Sequence, residues 1–161
     1  MEHLWAPWRM QYIEGVDESE GCFLCDACTG EDDREKLVLW RTEVCVTVMN
    51  RFPYNNGHLL VAPIEHVGDL EDLSGEQLQC QMMMLQRCER NLRRVMQPDG
   101  FNIGLNVGRP AGAGVEDHLH WHIVPRWNGD TNFMAVTGAT KVIPQALEDL
   151  WELLKEADER G

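Results

Sequence analysis

Basic residues and long apolar runs are both scarce in this chain of 161 residues, and each scarcity excludes a class of protein. Fourteen lysines and arginines face 27 aspartates and glutamates, which gives a formal net charge of -13. A chain this acidic is a poor candidate for binding nucleic acid or an anionic membrane surface, because both require a cationic face. No apolar run approaches the roughly 18 residues that a membrane-spanning helix needs. The opening residues 1–3 predict no signal peptide.

The remaining composition is that of an ordinary globular protein, with 43% hydrophobic and 25% charged residues. A chain of this length buries roughly two-thirds of its unfolded surface, so it does not need disulfides. We therefore expect the six cysteines to be reduced thiols or metal ligands in a cytoplasmic protein. No repeat or linker divides the chain. We expect one domain over residues 1–161, with an N-terminal extension and a cysteine-containing loop at about 1–36.

Hydrophobic periodicity predicts the order of the secondary-structure elements. Short segments rich in apolar and β-branched residues predict strands at about 37–40, 44–49, 58–63, 101–107 and 118–124. Ser74 and Gln77 have the spacing of a capping box, and the helical periodicity that follows predicts a long helix ending near Pro98. Pro144 stands where a second helix can begin. The tight turns favour antiparallel pairing, so we predict an α+β fold, an antiparallel sheet with a long helix and a C-terminal helix packed on it.

Three histidines at alternate positions, His118, His120 and His122, are the most informative feature of the sequence. In an extended strand, alternate side chains point to one face, so the three imidazoles are expected to form a row. A glycine-rich loop at 108–114 precedes them and offers backbone N–H groups to an anion. Imidazole can bind a metal or act as a nucleophile near neutral pH. The neighbouring anion loop favours transfer of a phosphoryl or nucleotidyl group.

Residues 118–124, with the sequence HLHWHIV, resemble the signature of the histidine triad superfamily of nucleotide hydrolases and transferases. The superfamily's nucleoside-binding hairpin is similar to two further segments, 50–53 and 57–63. The resemblance is closer still to the branch of bacterial diadenosine tetraphosphate phosphorylases, also called ATP adenylyltransferases. It rests on residues 3–10, 111–114 and 125–133. The resemblance implies a HIT-like fold, a dinucleoside polyphosphate substrate, orthophosphate as acceptor, and a homodimer or larger homo-oligomer.

The resemblance also implies roles for individual residues. His120 would attack the α-phosphorus as a neutral imidazole, which an unperturbed pKa near ~6.5 supplies, and form a nucleotidyl-histidine intermediate. His118 and His122 would orient it, assist proton transfer and stabilise charge at the phosphate. The implied substrate-binding residues are Asn50 at the nucleoside and, at the α-phosphate, Asn106, Gly112, Ala113 and Gly114.

The loop before the triad departs from the family pattern. Many members carry a Gln and a Ser or Thr there, whereas this chain has Ala113, Gly114 and Val115. Phosphate contacts made elsewhere by those side chains must here come from backbone N–H groups or from Arg109, Arg126 or Lys141.

Cys22 and Cys25 have the two-residue spacing with which two thiolates hold one zinc ion. Several superfamily members bind structural zinc through such a pair, a histidine after the hairpin strand and the first triad histidine. The resemblance therefore implies a structural zinc site with His66 and His118 as the other two ligands. Cys28 and Cys45 are rival ligands, and free thiols are the alternative to a metal.

Several functions stay open on the sequence. Orthophosphate as acceptor makes the protein a phosphorylase that yields ATP and ADP from diadenosine tetraphosphate, which the branch resemblance favours. Water as acceptor makes it a hydrolase of dinucleoside polyphosphates or nucleoside phosphoramidates. The sequence is also compatible with a metal-dependent hydrolase, with Glu116 and Asp117 as nearby carboxylates, and with a non-catalytic nucleotide-binding module. No organic cofactor is expected.

Overall fold

The computed structural model describes residues 21–130 and 143–160, and these form one sheet with three α-helices. The strands are β1 (Val38–Arg41), β2 (Cys45–Met49), β3 (Leu59–Pro63), β4 (Gly100–Leu105) and β5 (Trp121–Arg126). The helices are α1 (Phe23–Cys28), α2 (Gly75–Met96) and α3 (Leu147–Glu159). Two short 3-10 turns lie at Leu70–Asp72 and Arg109–Ala111. Among the residues described, no helix combines the length and apolar character needed to cross a membrane.

The five strands pair in the order β1-β2-β3-β5-β4, and every pairing is antiparallel. The predicted α+β fold is thus confirmed. The last strand differs from its prediction, because it begins at Trp121 rather than His118 and continues through Pro125. β3 pairs with β5 only as far as Ile123, so the proline lies beyond the central ladder, where a missing N–H is tolerated.

The two faces of the sheet are covered by different helices. Because side chains alternate along a strand, β2 and β3 contribute to two separate clusters, although all ten of their residues are buried. On one face α2 and α3 complete a core that includes Met49, Val61, Leu92, Ile123 and Leu154. On the other face α1 covers a smaller cluster of Leu24, Ala27, Val38, Val46, Val48, Leu60 and Ala62. Each such large apolar side chain contributes about 1.5–3 kcal/mol when fully buried.

The predicted start of the long helix is confirmed at atomic detail. The Ser74 hydroxyl accepts the Gln77 N–H at 3.2 Å, and the Gln77 side-chain oxygen accepts the Ser74 N–H at 2.7 Å. These two bonds satisfy donors that a helix start otherwise leaves unpaired. The C-terminal helix begins at Leu147, three residues after Pro144.

Helix α3 is joined to both α2 and the sheet edge by polar contacts. The Asp158 carboxylate accepts both a two-pronged hydrogen bond from Arg87 and one from Asn91 at 2.9 Å. Toward the sheet, Trp151 Nε1–H donates to the Val38 carbonyl and the Lys155 ammonium donates to the Leu39 carbonyl, both at 2.9 Å. The side chains of α3 therefore occupy carbonyls of β1, which is an edge strand of the sheet.

The cysteines depart from the expectation of reduced or metal-bound thiols in one place. Cys45, at the start of β2, is joined by a disulfide to Cys80 in α2. Cys45 is therefore not available as a zinc ligand. The expectation was wrong for this pair because the packing of α2 over β2 brings together residues separated by 35 positions. The cysteine-containing loop also contains a helix, α1, and residues 1–20 of the N-terminal extension lie outside the described residues.

Candidate active site and metal centre

The three triad histidines lie where the chain enters β5, but they do not form one row on a single strand. His122 is in β5, opposite Leu60 of β3 and Gly104 of β4. The segment before it is held by the Leu119 N–H, which donates to the Val67 carbonyl at 2.7 Å. The predicted strand is corrected, because the ladders that join β5 to β3 and to β4 both end at Trp121, opposite Val61 and Leu105, and His118 and His120 precede that point.

His120 is buried, and its protonation can be assigned from one contact. Its Nδ1 lies 2.8 Å from the His118 carbonyl oxygen, which only accepts hydrogen bonds, so Nδ1 carries the proton. The lone pair of the neutral ring is then on Nε2. Burial lowers the pKa of His120, and the hydrogen bond to the carbonyl only partly offsets this. His120 therefore has the neutral, unprotonated Nε2 that a nucleophile requires.

A fourth histidine, His58, completes the group, and sequence reasoning assigned it no role. The Tyr54 backbone N–H donates to its Nδ1 at 3.0 Å, so the ring proton is on Nε2. His58 Nε2 in turn lies 2.9 Å from Nδ1 of His122 and donates to it. A neutral His122 must then carry its proton on Nε2. The available signal was the position of His58 directly after the Asn-Gly turn, two residues before Leu60, which pairs with His122.

The Tyr54 ring packs over this histidine pair. Its centroid lies 4.8 Å from that of His58 and 5.8 Å from that of His122, with interplanar angles of 27° and 25°. His120 meets His122 edge-on at 4.9 Å. The three rings of His58, His120 and His122 thus form one aromatic cluster, in which Nδ1 of each ring has a hydrogen-bond partner.

Asn50 lies beside this cluster. Its Oδ1 accepts the Phe52 N–H at 2.9 Å, and its Nδ2 lies 3.2 Å from Nδ1 of His58. Asn50 therefore shapes the turn that carries His58, whichever contact it makes with a nucleoside.

The glycine-rich loop is closed by its own hydrogen bonds. Asn106 Nδ2 donates to the Gly112 carbonyl at 3.3 Å, so two of the predicted phosphate-binding residues are brought together. The N–H groups of Gly112 and Ala113 donate within the loop, at 2.9 and 3.4 Å. An anion contact at these two positions therefore has to replace an internal hydrogen bond. The predicted contact at Lys141 lies outside the described residues.

Glu116 serves this loop rather than the histidines. Its Oε1 accepts the Arg109 N–H at 2.9 Å, and its Oε2 lies 3.9 Å from the Arg109 guanidinium. The potential metal ligands that cluster within the described ranges are Cys22, Cys25, His66 and His118, without Glu116 or Asp117. A catalytic metal held by the triad and these carboxylates has no support in this arrangement.

The four residues predicted to bind zinc are brought together. Their ligand atoms all lie within 4.8 Å of one another. Cys25 Sγ is 3.0 Å from Nδ1 of His66, and Cys22 Sγ is 3.2 Å from Nδ1 of His118. His118 Nε2–H donates to the Pro63 carbonyl at 2.9 Å, which leaves its Nδ1 lone pair facing the thiols. This donor to a backbone carbonyl is the support that metal-binding histidines commonly have.

The two thiols respond oppositely to this environment. Burial raises the pKa of Cys22, but hydrogen bonds with His118 and Cys25 outweigh it and lower the pKa to about 6. Burial and the neighbouring Cys22 both raise the pKa of Cys25, to about 11. One thiolate thus hinders ionisation of the other, and a divalent cation between them would remove this conflict. Cys28 lies outside the cluster, with its Sγ 4.0 Å from the Pro63 carbonyl.

Comparison with known proteins assigns the family. The family model described as HIT domain matches residues 31–129. The AP-4-A phosphorylase of Mycobacterium tuberculosis is 40% identical over 161 residues, which cover 96% of this chain and 83% of that protein. This chain belongs to the HIT domain family. The resemblance drawn from the triad and its flanking segments is thereby confirmed.

Solved structures of HIT proteins share the architecture described above. A Zn-bound histidine triad family protein from Mycobacterium smegmatis superposes with a TM-score of 0.70 at 28% identity, covering 87% of this chain and 94% of that one. Plasmodium falciparum diadenosine triphosphate hydrolase, solved in complex with cyclomarin A, has a TM-score of 0.63 at 19% identity, covering 95% and 97%. At that identity the second likeness shows the HIT fold alone.

Proposed function

We propose that this HIT protein is an enzyme that transfers a nucleotidyl group through a nucleotidyl-histidine intermediate on His120. The observation that carries the proposal is the hydrogen bond from His120 Nδ1 to the His118 carbonyl, because it leaves Nε2 as the nucleophilic nitrogen. The 40% identity to an AP-4-A phosphorylase supports diadenosine tetraphosphate as substrate and phosphorolysis as the reaction.

The first step forms a bond between His120 Nε2 and the α-phosphorus and breaks the bond from that phosphorus to the bridging oxygen. ATP leaves, and the adenylyl group stays on His120. His122, with its proton on Nε2 and its Nδ1 held by His58, is suited to donate a hydrogen bond to a phosphate oxygen.

In the second step, an orthophosphate oxygen attacks the same phosphorus and the bond to His120 breaks. The product is ADP, and His120 regains its lone pair. Water in place of orthophosphate would release AMP, and the enzyme would then be a hydrolase. Both acceptors use the same intermediate, so the product of the second step distinguishes them. Asn50, Asn106 and the backbone of Gly112–Gly114 are proposed to hold the nucleotide during both steps.

We further propose that Cys22, Cys25, His66 and His118 hold a structural zinc ion. The donor set is two thiols and two imidazoles, which matches a closed tetrahedral zinc site. A Zn-bound family member among the structural relatives supports the same conclusion. The ion would join α1 to the segments that follow β3 and precede β5, and His118 would then position His120 through its carbonyl rather than react.

The chain is proposed to act in the cytoplasm as one domain over residues 1–161 and as a homodimer or larger homo-oligomer. One observation favours self-association: β4 pairs with β5 on one side and with no described strand on the other. Ile103 of β4 is exposed, as are Met82 and Met83 of α2. Ile103 thus offers apolar surface at the open edge of the sheet.

The deciding experiment is incubation with diadenosine tetraphosphate, with and without orthophosphate, followed by separation of the nucleotides. Wild-type protein is expected to yield ATP and ADP only when orthophosphate is present. His120→Ala is expected to be inactive while it remains folded. AMP and ATP in equal amounts, with no effect of orthophosphate, would overturn phosphorolysis in favour of hydrolysis. Full activity of His120→Ala would overturn the nucleophile.

A further inference from the structure

Asp130 is a nearly buried carboxylate at the end of the turn that follows β5. Its side chain is 8% exposed, and it accepts hydrogen bonds from Arg126 Nε at 2.5 Å and Nη2 at 2.9 Å. It also accepts from Asn55 Nδ2 at 2.9 Å and from the Trp127 N–H at 3.3 Å. Four donors use nearly all the lone-pair sites of a carboxylate. Arg126 is held in turn by Asn102 of β4 at 2.7 Å.

Asn55 connects this carboxylate to the turn that carries His58. Its Nδ2 donates to the Pro125 carbonyl at 3.1 Å as well as to Asp130, so the side chain is held both to β5 and to the turn that follows it. Its own backbone carbonyl accepts the His58 N–H at 3.2 Å. The position of Asn55 therefore determines the position of the His58 backbone.

The same turn is pressed closely against β5. Gly57 has φ +77°, and a Cβ there would come within 2.6 Å of Met96 Sδ and 3.1 Å of Pro125 Cγ. The ladder between β3 and β5 covers only three residue pairs, from Leu59 with Ile123 to Val61 with Trp121. The turn lies beyond that ladder, so contacts other than strand pairing must fix its distance from β5.

We propose that Asp130 is a positioning residue for the active site, acting through Asn55 on His58 and hence on His122. The hydrogen bonds form a closed circuit that leaves β5 at Arg126, passes through Asp130, Asn55 and His58, and returns to β5 at His122. Because the circuit is closed, loosening it at Asp130 changes the approach of His58 Nε2 to His122 Nδ1. The inference rests on the proposed function only for its kinetic readout.

The test compares Asp130→Asn with Asp158→Asn. Asp158 is a matched control, because it also accepts two bonds from an arginine and one from an asparagine, but between α2 and α3. The primary readout is the long-range 1H–15N correlation spectrum of the histidine rings. In the wild type, His122 is expected to show an unprotonated Nδ1 and a protonated Nε2. Asp130→Asn is expected to shift this pattern toward a mixture of tautomers, and Asp158→Asn to leave it unchanged.

The kinetic readout uses diadenosine tetraphosphate and orthophosphate. Asp130→Asn is expected to lower kcat by about 10- to 100-fold, as a misplaced active-site group does, with KM changed much less. Asp158→Asn is expected to lower the melting temperature without lowering kcat. Asn55→Ala, which removes the middle of the circuit, should reproduce the change in the His122 spectrum, and the double variant should be no worse than either single variant.

A wild-type His122 pattern in both Asp130→Asn and Asn55→Ala would overturn the proposal. So would the same spectral change in Asp158→Asn, because the effect would then follow general destabilisation. If the wild type shows no turnover of diadenosine tetraphosphate, the proposed function fails, while the His122 spectra still decide the role of Asp130. Should Asp130→Asn not fold, the Asn55→Ala spectrum alone decides it.

Discussion

The His58 Nε2–H donates to Nδ1 of His122 across 2.9 Å, and the backbone N–H of Tyr54 fixes the proton that makes this possible. Because a main-chain amide can only donate, Nδ1 of His58 accepts the hydrogen bond and the ring proton is on Nε2. Through this hydrogen bond His58, which is outside the triad, fixes the proton position of the triad residue His122.

Removing the His58 donor is expected to slow turnover. In His58→Ala, neither tautomer of His122 is imposed, and kcat should fall by about 10- to 100-fold through poorer positioning. His58→Phe keeps a ring beneath Tyr54 but also lacks the donor, so it should be equally slow. Steady-state kinetics on both variants check this. Retained activity in His58→Phe would show that ring packing, and not the hydrogen bond, is what matters.

Zinc content is expected to depend on Cys25 and not on Cys28. Protein purified without chelator should contain one zinc per chain by elemental analysis, and Cys25→Ser should lose most of it, since serine is a much weaker ligand than thiolate. Cys28→Ser is the matched control, because Cys28 has the same spacing from Cys25 but lies outside the ligand cluster. Equal zinc loss in both variants, or none in the wild type, would contradict the site.

The disulfide between Cys45 and Cys80 predicts a thiol count and a stability change. Unfolded, zinc-free protein should show four titratable thiols before reduction and six after it. A reductant should lower the free energy of unfolding by about 2–4 kcal/mol, since it removes a cross-link. In Cys80→Ser the same reductant should have no further effect. Six thiols in unreduced protein would show that the cross-link is absent in solution.

The contact between Asp158 and Arg87 should stabilise the protein in a pH-dependent way. The hydrogen bond from Arg87 holds the pKa of Asp158 below its ordinary value, and Asn91 adds to this against the effect of burial. The stabilisation is therefore fully present above the unfolded-state pKa near 3.9 and is lost as the pH falls through the lower folded-state pKa. Asp158→Asn should cost about 1–3 kcal/mol at pH 7, and this difference should shrink in urea titrations near pH 3. A difference independent of pH would contradict it.

The sequence indicated much of the fold because its signals were local. Ser74 and Gln77 report a helix start through a spacing of three residues, and alternating apolar residues report strands. The triad and the cysteine pair were visible for the same reason. His58 and Asp130 were not, because each acts through a partner that only the folded sheet brings near. The pairing of Cys45 with Cys80 likewise depends on how α2 crosses β2.

The boundary of β5 shows a different limit. The histidines at 118 and 120 alternate like strand residues, yet their segment pairs with no strand in the described part of the chain: the ladders of β5 with β3 and β4 both end at Trp121. Alternation reports which way side chains point and not whether a neighbouring strand is there to pair. The side chain of His118 uses the Pro63 carbonyl instead.

The side chains of Trp151 and Lys155 bond carbonyls of β1, and this closes one border of the sheet to further strands. Among the described strands, β4 is then the edge that is left open to another strand. If two copies paired along β4, the outer edge of each sheet would be a β1 strand whose carbonyls are already bonded by α3. A third copy could then not add a strand. Strand pairing along β4 would therefore give a finite assembly of two copies and not an open-ended fibre.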